Sequence, residues 1–194
     1  MGRRAALALL YFAAIVLGIG SAFFWLTRVS MTGVDAGVWR ANLLAGSRDA
    51  DAYTRARIAL AAVLALDRSE TIYFTADRDA AGDTLHANCS YEVAGLPPPA
   101  RWWSITAYAA DHFLFDHPAR RYSISGESTR LDAAGRFRAV VGPVDPGQAD
   151  TQWMSTSGTG ALRLTLRLYG AADSVQKNPA AWPAPSVTRL GACR

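Results

Sequence analysis

The chain has 194 residues, 51% of them hydrophobic and 19% charged, and its 20 basic and 16 acidic residues leave a formal charge of +4. That length holds one ordinary domain with an appendage and excludes two full-sized domains, and the composition excludes intrinsic disorder. Two cysteines exclude a disulfide-rich scaffold and a four-cysteine zinc site, and the lack of any run of five basic residues argues against a nucleic-acid partner.

Residues 5–27 carry no charge, and Ser21 and Thr27 are their clearly polar members. At about 1.5 Å per residue such a helix crosses the roughly 30 Å hydrocarbon layer, with Tyr11 and Trp25 placed for the two interfaces. A cleaved signal peptide shares the basic start Met1-Gly2-Arg3-Arg4. Its apolar core is shorter, however, and its cleavage site needs small residues where this chain has Phe23-Phe24-Trp25-Leu26. The reading is an uncleaved anchor over 1–28, with the membrane as partner through 5–27. Arg3, Arg4 and the amino terminus outweigh Arg28 and Arg40 only slightly, which favours a cytoplasmic N-terminus at the bacterial inner membrane and a periplasmic remainder. There, Cys89 and Cys193 fit either a disulfide closing a long loop or two unrelated thiols.

Residues 29–46, punctuated by glycines, read as a connector with a short strand near 38–43. From 47 to 194 the pattern is that of one domain. Asp49 or Asp51 caps a predicted helix over 51–66, in which Tyr53, Ala56, Leu60, Val63 and Leu64 share an apolar face. Period-two runs then predict strands at 71–75, 85–93, 102–108, 121–125, 136–141 and 162–169, with a further strand near Gln152-Trp153-Met154. Leu162, Leu164, Leu166 and Leu168 point one way, and Arg163, Thr165, Arg167 and Tyr169 the other. Short strands separated by Gly and Pro turns, after one helix, predict a mainly β fold: an antiparallel, jelly-roll-like β-sandwich.

The blocks Trp103-Ser104-Ile105-Thr106-Ala107-Tyr108, Asp111-His112-Phe113-Leu114 and Arg121-Tyr122-Ser123-Ile124 resemble those of the bacterial domain-of-unknown-function family numbered 1214. So do Gln152-Trp153-Met154, Leu164-Thr165-Leu166-Arg167-Leu168-Tyr169 and the closing Trp182-Pro183 with Pro185-Ser186-Val187-Thr188-Arg189. The ordered series covers about residues 37–190. The resemblance implies a β-rich fold, often the C-terminal half of larger two-domain 1254/1214 proteins, and no agreed reaction. Ala109, His112 and His117 depart from the family's usual aspartate, glycine and asparagine, and a histidine for glycine at 112 implies a changed turn.

Asp111-His112 and Asp116-His117 offer two imidazoles and two carboxylates, a donor set suited to a metal or to acid–base work. Their five-residue spacing matches no finger or helical face, and a polar inter-strand turn explains them equally. Ser104, Ser123, Ser125 and Ser155 lie outside G-x-S-x-G, and no phosphate-cradling glycine motif occurs, so no cofactor is named. Trp102, Tyr108, Arg121, Arg163 and Arg167 supply aromatic faces and guanidinium forks for a polar or carbohydrate-like ligand, or else the arginines are the solvated outer face and the tryptophans are core. Two function classes follow. One is a non-catalytic envelope module binding a polar ligand or an envelope protein, and the other is a metal-assisted, hydrolase-like enzyme built on the Asp-His loop.

Overall fold

The computed structural model of the protein describes residues 2–28, 33–61, 64–148 and 151–193. Helix α1, Arg3–Arg28, is long and apolar enough to cross a bilayer, and none of its apolar window is buried by the rest of the chain. The domain that follows is mainly β, in two sheets. Strands β1 (Val34–Ala36), β2 (Trp39–Ala41), β3 (Thr71–Ala76), β9 (Leu162–Ala171), β5 (Ala100–Ala109) and β6 (Ser123–Ser125) form one sheet in that order. The second contains β10 (Ser186–Arg189), β4 (Tyr91–Gly95), β7 (Phe137–Gly142) and β8 (Gln152–Ser155). Helices α2 (Ala52–Leu60) and α3 (Asp173–Lys177) lie in the connections.

The core lies between the sheets because each long strand alternates. Leu162, Leu164, Leu166 and Leu168 of β9 are at most 1% exposed and pack with Ile72 and Phe74 of β3 and Trp103 and Ile105 of β5. Tyr91 and Val93 of β4, Phe137, Ala139 and Val141 of β7 and Val187 of β10 supply the other layer. Burial of a side chain of this size contributes about 1.5–3 kcal/mol. Trp39 is fully buried, and its indole N–H donates to the Pro185 carbonyl at 2.6 Å, fastening β2 to the segment that enters β10. Cys89 and Cys193 are joined by a disulfide that spans 104 residues.

Several expectations change. β7 and β8 pair in parallel, so the sandwich is mixed and not wholly antiparallel. The expected connector carries a hairpin, β1–β2, turned at Gly37 with φ 61°, a left-handed conformation that glycine takes without a Cβ clash. The strand expected over 85–93 begins only at Tyr91. Leu85, Ala87 and Cys89 are buried alternately, but the backbone there bends, with Cys89 N–H donating to the His86 carbonyl. The strand expected over 121–125 is confined to Ser123–Ser125. The predicted helix over 51–66 ends at Leu60. Gly46, at φ 75°, lies so close to the Leu66 carbonyl that a Cβ would collide with it. That close approach holds residues 64–66 across the sheet, outside the helix. Val63 lies outside the described residues.

Candidate functional site

The six-stranded sheet's outer face is assembled by register. Antiparallel pairing aligns Tyr73 of β3, Arg167 of β9, Ser104 of β5 and Ser125 of β6 in one cross-strand row. The next row is Thr75, Thr165, Thr106 and Ser123, and Arg163 stands opposite Tyr108. Directly opposed side chains lie about 4.5–5.5 Å apart at Cβ, so hydroxyls, phenols and guanidinia from three distant parts of the sequence become neighbours. Thr165, Ser104 and Thr106 are buried beneath the longer side chains.

A cavity of about 440 Å³ opens on this face. Its floor is Tyr73 and Thr75 of β3, Arg163, Thr165, Arg167 and Tyr169 of β9, and Tyr108 of β5. His112, in the turn after β5, stands at one side, and Ala61, Leu64 and Leu66, from the segment after α2, form the other rim. The Leu66 N–H donates to the Tyr73 phenol oxygen at 3.1 Å, which ties that rim to β3.

The electrostatics are one-sided. Arg167 donates to Thr106 Oγ1 at 3.1 Å and to the Tyr108 phenol oxygen at 2.7 Å, with its guanidinium carbon 5.6 Å from the Tyr108 ring centroid. Among the described residues no Asp or Glu lines the cavity, and Arg163 has no ion-pair partner. Two permanent cations therefore share a half-buried groove with neutral hydroxyls and aromatic faces. A guanidinium has five N–H donors in a fixed fork, and two bonds to neutral oxygens leave Arg167 able to take a carboxylate, phosphate or sulfate oxygen. About 13 Å of strand separates the Cα atoms of Arg163 and Arg167, so the groove suits an extended ligand.

Of the predicted ligand-binding residues, Tyr108, Arg163 and Arg167 come together in this groove. Trp102 is on the same face, stacked at a tilt on Tyr169 with ring centroids 5.1 Å apart, just beyond the lining. Arg121 stands apart, exposed beside Tyr122 near Ala107 and Leu114. The predicted metal set does not assemble: among the described residues no three His, Cys, Asp or Glu side chains are grouped to hold an ion. Asp111 is used by its own turn, where Oδ1 accepts the Phe113 N–H at 3.1 Å. Asp116 is exposed. His117 is buried against Trp153 with centroids 4.9 Å apart, and its Nδ1 accepts the Ala119 N–H at 3.0 Å. Only His112 reaches the groove. Its φ is 68°, so the turn keeps the left-handed conformation that glycine favours even though histidine occupies it, contrary to the expected change.

Sequence reasoning missed Tyr73, Thr75, Leu64 and Leu66. The period of β3 marks Tyr73 and Thr75 as outward, whereas nothing local places Leu64 and Leu66 over a sheet.

These features define a class: a two-sheet β domain with a cationic, tyrosine-rich groove on its larger sheet, behind an apolar N-terminal helix. The chain belongs to the family described as Protein of unknown function (DUF1214), which it matches over residues 70–173. Among solved structures it is similar to the VPA0106 protein from Vibrio parahaemolyticus, with 20% identity and a TM-score of 0.61 over 90% of this chain and 43% of that one. It is also similar to an uncharacterized protein from Burkholderia cenocepacia, with 18% identity and a TM-score of 0.42 over 62% of this chain and 29% of that one. The chain thus spans less than half the length of either protein, and the first likeness shows the fold alone. No curated protein sequence matches it.

Proposed function

We propose that this chain is a membrane-anchored, non-catalytic binding module of the bacterial envelope, which takes a polar, anionic, carbohydrate-like ligand in the groove of its larger sheet. The observation that carries the reading is the pair Arg163 and Arg167, half-buried in one cavity that no carboxylate lines among the described residues. A charge held partly out of water without a counter-ion is unfavourable unless a ligand supplies one. Tyrosine faces beside guanidinium forks are the groups that stack on sugar rings while engaging acidic substituents.

The location has separate support. The apolar helix α1 follows Arg3 and Arg4, and a disulfide between Cys89 and Cys193 suits an oxidising compartment. In this reading α1 crosses the inner membrane and the two sheets, as a jelly-roll-like scaffold, face the periplasm. A reporter active only outside the cytoplasm, fused after residue 194, should then be active, and its silence beside an active cytoplasmic reporter would reverse the topology.

Binding is tested with the full chain in phosphatidylcholine nanodiscs, titrated calorimetrically with a uronic-acid oligosaccharide and its neutral counterpart. The acidic form should bind more tightly, and Arg163→Ala with Arg167→Ala should weaken it by about tenfold or more, as expected for lost charge-assisted hydrogen bonds. Equal binding of both sugars, or indifference to both substitutions, would overturn the assignment.

A further inference from the structure

The groove has two unlike sides. Towards β5 it is bounded by His112, and towards β3 by Ala61, Leu64 and Leu66. Leu64 is 95% exposed and Leu66 49%, and Leu66 is fixed at the rim between Gly46 and the Tyr73 phenol. Two leucines thus stand beside a cationic floor with their side chains in the open.

The same rim leads to the end of the apolar helix. Ala61 is the C-cap of α2, and Tyr53, in the first turn of α2, meets Trp25 near the end of α1 with ring centroids 6.2 Å apart. About 12 Å of helix separates Tyr53 from Ala61. With α1 spanning the bilayer, Trp25 sits at the level where tryptophans anchor, and the leucine rim stands close above the headgroups. Among the described residues of α2 none is buried, and Tyr53 and Leu60 are 48% and 61% exposed. Thr54, Ala56, Arg57 and Ile58 of α2 are half-buried against the domain, which leaves the exposed Tyr53 and Leu60 for the membrane surface.

We infer that the groove takes the anionic head of a membrane amphiphile, with the phosphate at Arg163 and Arg167 and the first methylenes of its tail on Leu64 and Leu66. This rests on the reading that the groove binds an anion, and adds that the anion arrives attached to a lipid tail. Charge and apolarity occur in the order a lipid presents them, with the leucines on the side tied to the membrane helix and the arginines further in.

The test uses the full chain in phosphatidylcholine nanodiscs, titrated with dihexanoyl phosphatidic acid, glycerol 3-phosphate and inorganic phosphate, with empty nanodiscs as the partition control. Each buried methylene is worth about fourfold in affinity. Phosphatidic acid should therefore bind at least about tenfold more tightly than glycerol 3-phosphate. Replacing Leu64 and Leu66 together by serine should erase that gap while glycerol 3-phosphate binds as before. Both side chains are exposed, so the double variant keeps its core. Equal affinity for the tailed and tailless phosphates, or a gap that survives the double serine variant, overturns the lipid assignment and leaves the anion site standing. If neither phosphate nor the acidic oligosaccharide binds, both readings fall.

Discussion

Strand β9 shows two surfaces made by one stretch of chain. Its leucines, at most 1% exposed, are held by neighbours on every side. Arg163, Arg167 and Tyr169, interleaved with them, are only half-buried, because Ala61, Leu64, Leu66 and the His112 turn stand over the face without filling it. An outer face that merely met solvent would leave its short side chains wet. Here Thr165, Ser104 and Thr106 are 5%, 4% and 6% exposed, covered by the longer side chains beside them. The inner face thus determines whether the domain folds, and in the proposed function the outer face determines what it holds. Substitutions on the two sides of one strand should separate stability from binding.

The largest effect should come from the inner layer's covalent tie. Cys89 is buried, whereas Cys193 is exposed, so Cys193→Ser breaks the bridge without opening a cavity. In the chain-entropy model a closed loop of about 100 residues is worth about 4.7 kcal/mol. Urea denaturation of Cys193→Ser should show most of that loss, and an unchanged midpoint would mean that the tail is held by β10 pairing alone. Next, Leu166→Ala should cost about 2–5 kcal/mol, as buried leucine truncations do. Its outward counterpart Arg163→Ala should change stability by no more than about 0.5 kcal/mol. The same pair should reverse in calorimetry, with Arg163→Ala losing ligand affinity and any folded fraction of Leu166→Ala keeping it. If Arg163→Ala destabilises as much as Leu166→Ala, the contrast between the faces is lost.

The alternation of Leu162 to Tyr169 could be read from the sequence because a period of two needs no knowledge of partners. The length of α1 was legible for the same reason. Membership of the groove was not, since Tyr73, Tyr108 and Arg167 meet only through registers among strands far apart in the chain. Alternation also misled at 85–90, where burial alternates but the backbone is joined to its neighbours by separate contacts, Ala87 N–H to the Gly160 carbonyl and Leu162 N–H to the Leu85 carbonyl. Burial pattern and ladder pairing are different facts there. The helix expected to run to Leu66 ends at Leu60, and a tertiary contact accounts for its far end: Ala65 favours helix, but the Gly46 approach to the Ala65 and Leu66 carbonyls fixes residues 65–66 otherwise. The parallel pairing of β7 with β8 left no mark in either strand's own pattern.

His112 sharpens the comparison at the groove's edge, where conformation and contact compete. A left-handed conformation costs a non-glycine residue about 1–2 kcal/mol, and strain of this kind is often retained at binding sites. His112→Gly should therefore raise the stability read from urea denaturation by up to about 1 kcal/mol, offset in part by the freer unfolded chain. If the imidazole touches the ligand, the same variant binds more weakly, so stability and affinity move in opposite directions. A variant that gains stability and keeps full affinity would restrict His112 to the turn.

The smallest effect should lie at the start of α2, whose C-cap Ala61 precedes the leucine rim. Asp51 caps this helix, with Oδ1 accepting the Tyr53 N–H at 2.8 Å and the Thr54 N–H at 3.1 Å and Oδ2 accepting the Thr54 hydroxyl at 2.6 Å. The Thr54 hydroxyl, followed by the Thr54 backbone N–H, holds the Asp51 pKa below its ordinary value of 3.8. A folded-state pKa below the unfolded one adds stability that is complete above the unfolded value and is lost as pH falls through the folded one. Asparagine is an equally good cap but does not titrate. Thermal melts of the chain and of Asp51→Asn should therefore coincide at neutral pH and diverge below about pH 4, with the unsubstituted chain losing stability faster. Thr54→Val removes the largest cause of the depression, so the acid loss should become smaller and reach its end at a higher pH. Profiles that stay parallel across the acid range would show that the cap makes no measurable difference, and that the rim is held by Gly46 and Tyr73 without help from α2.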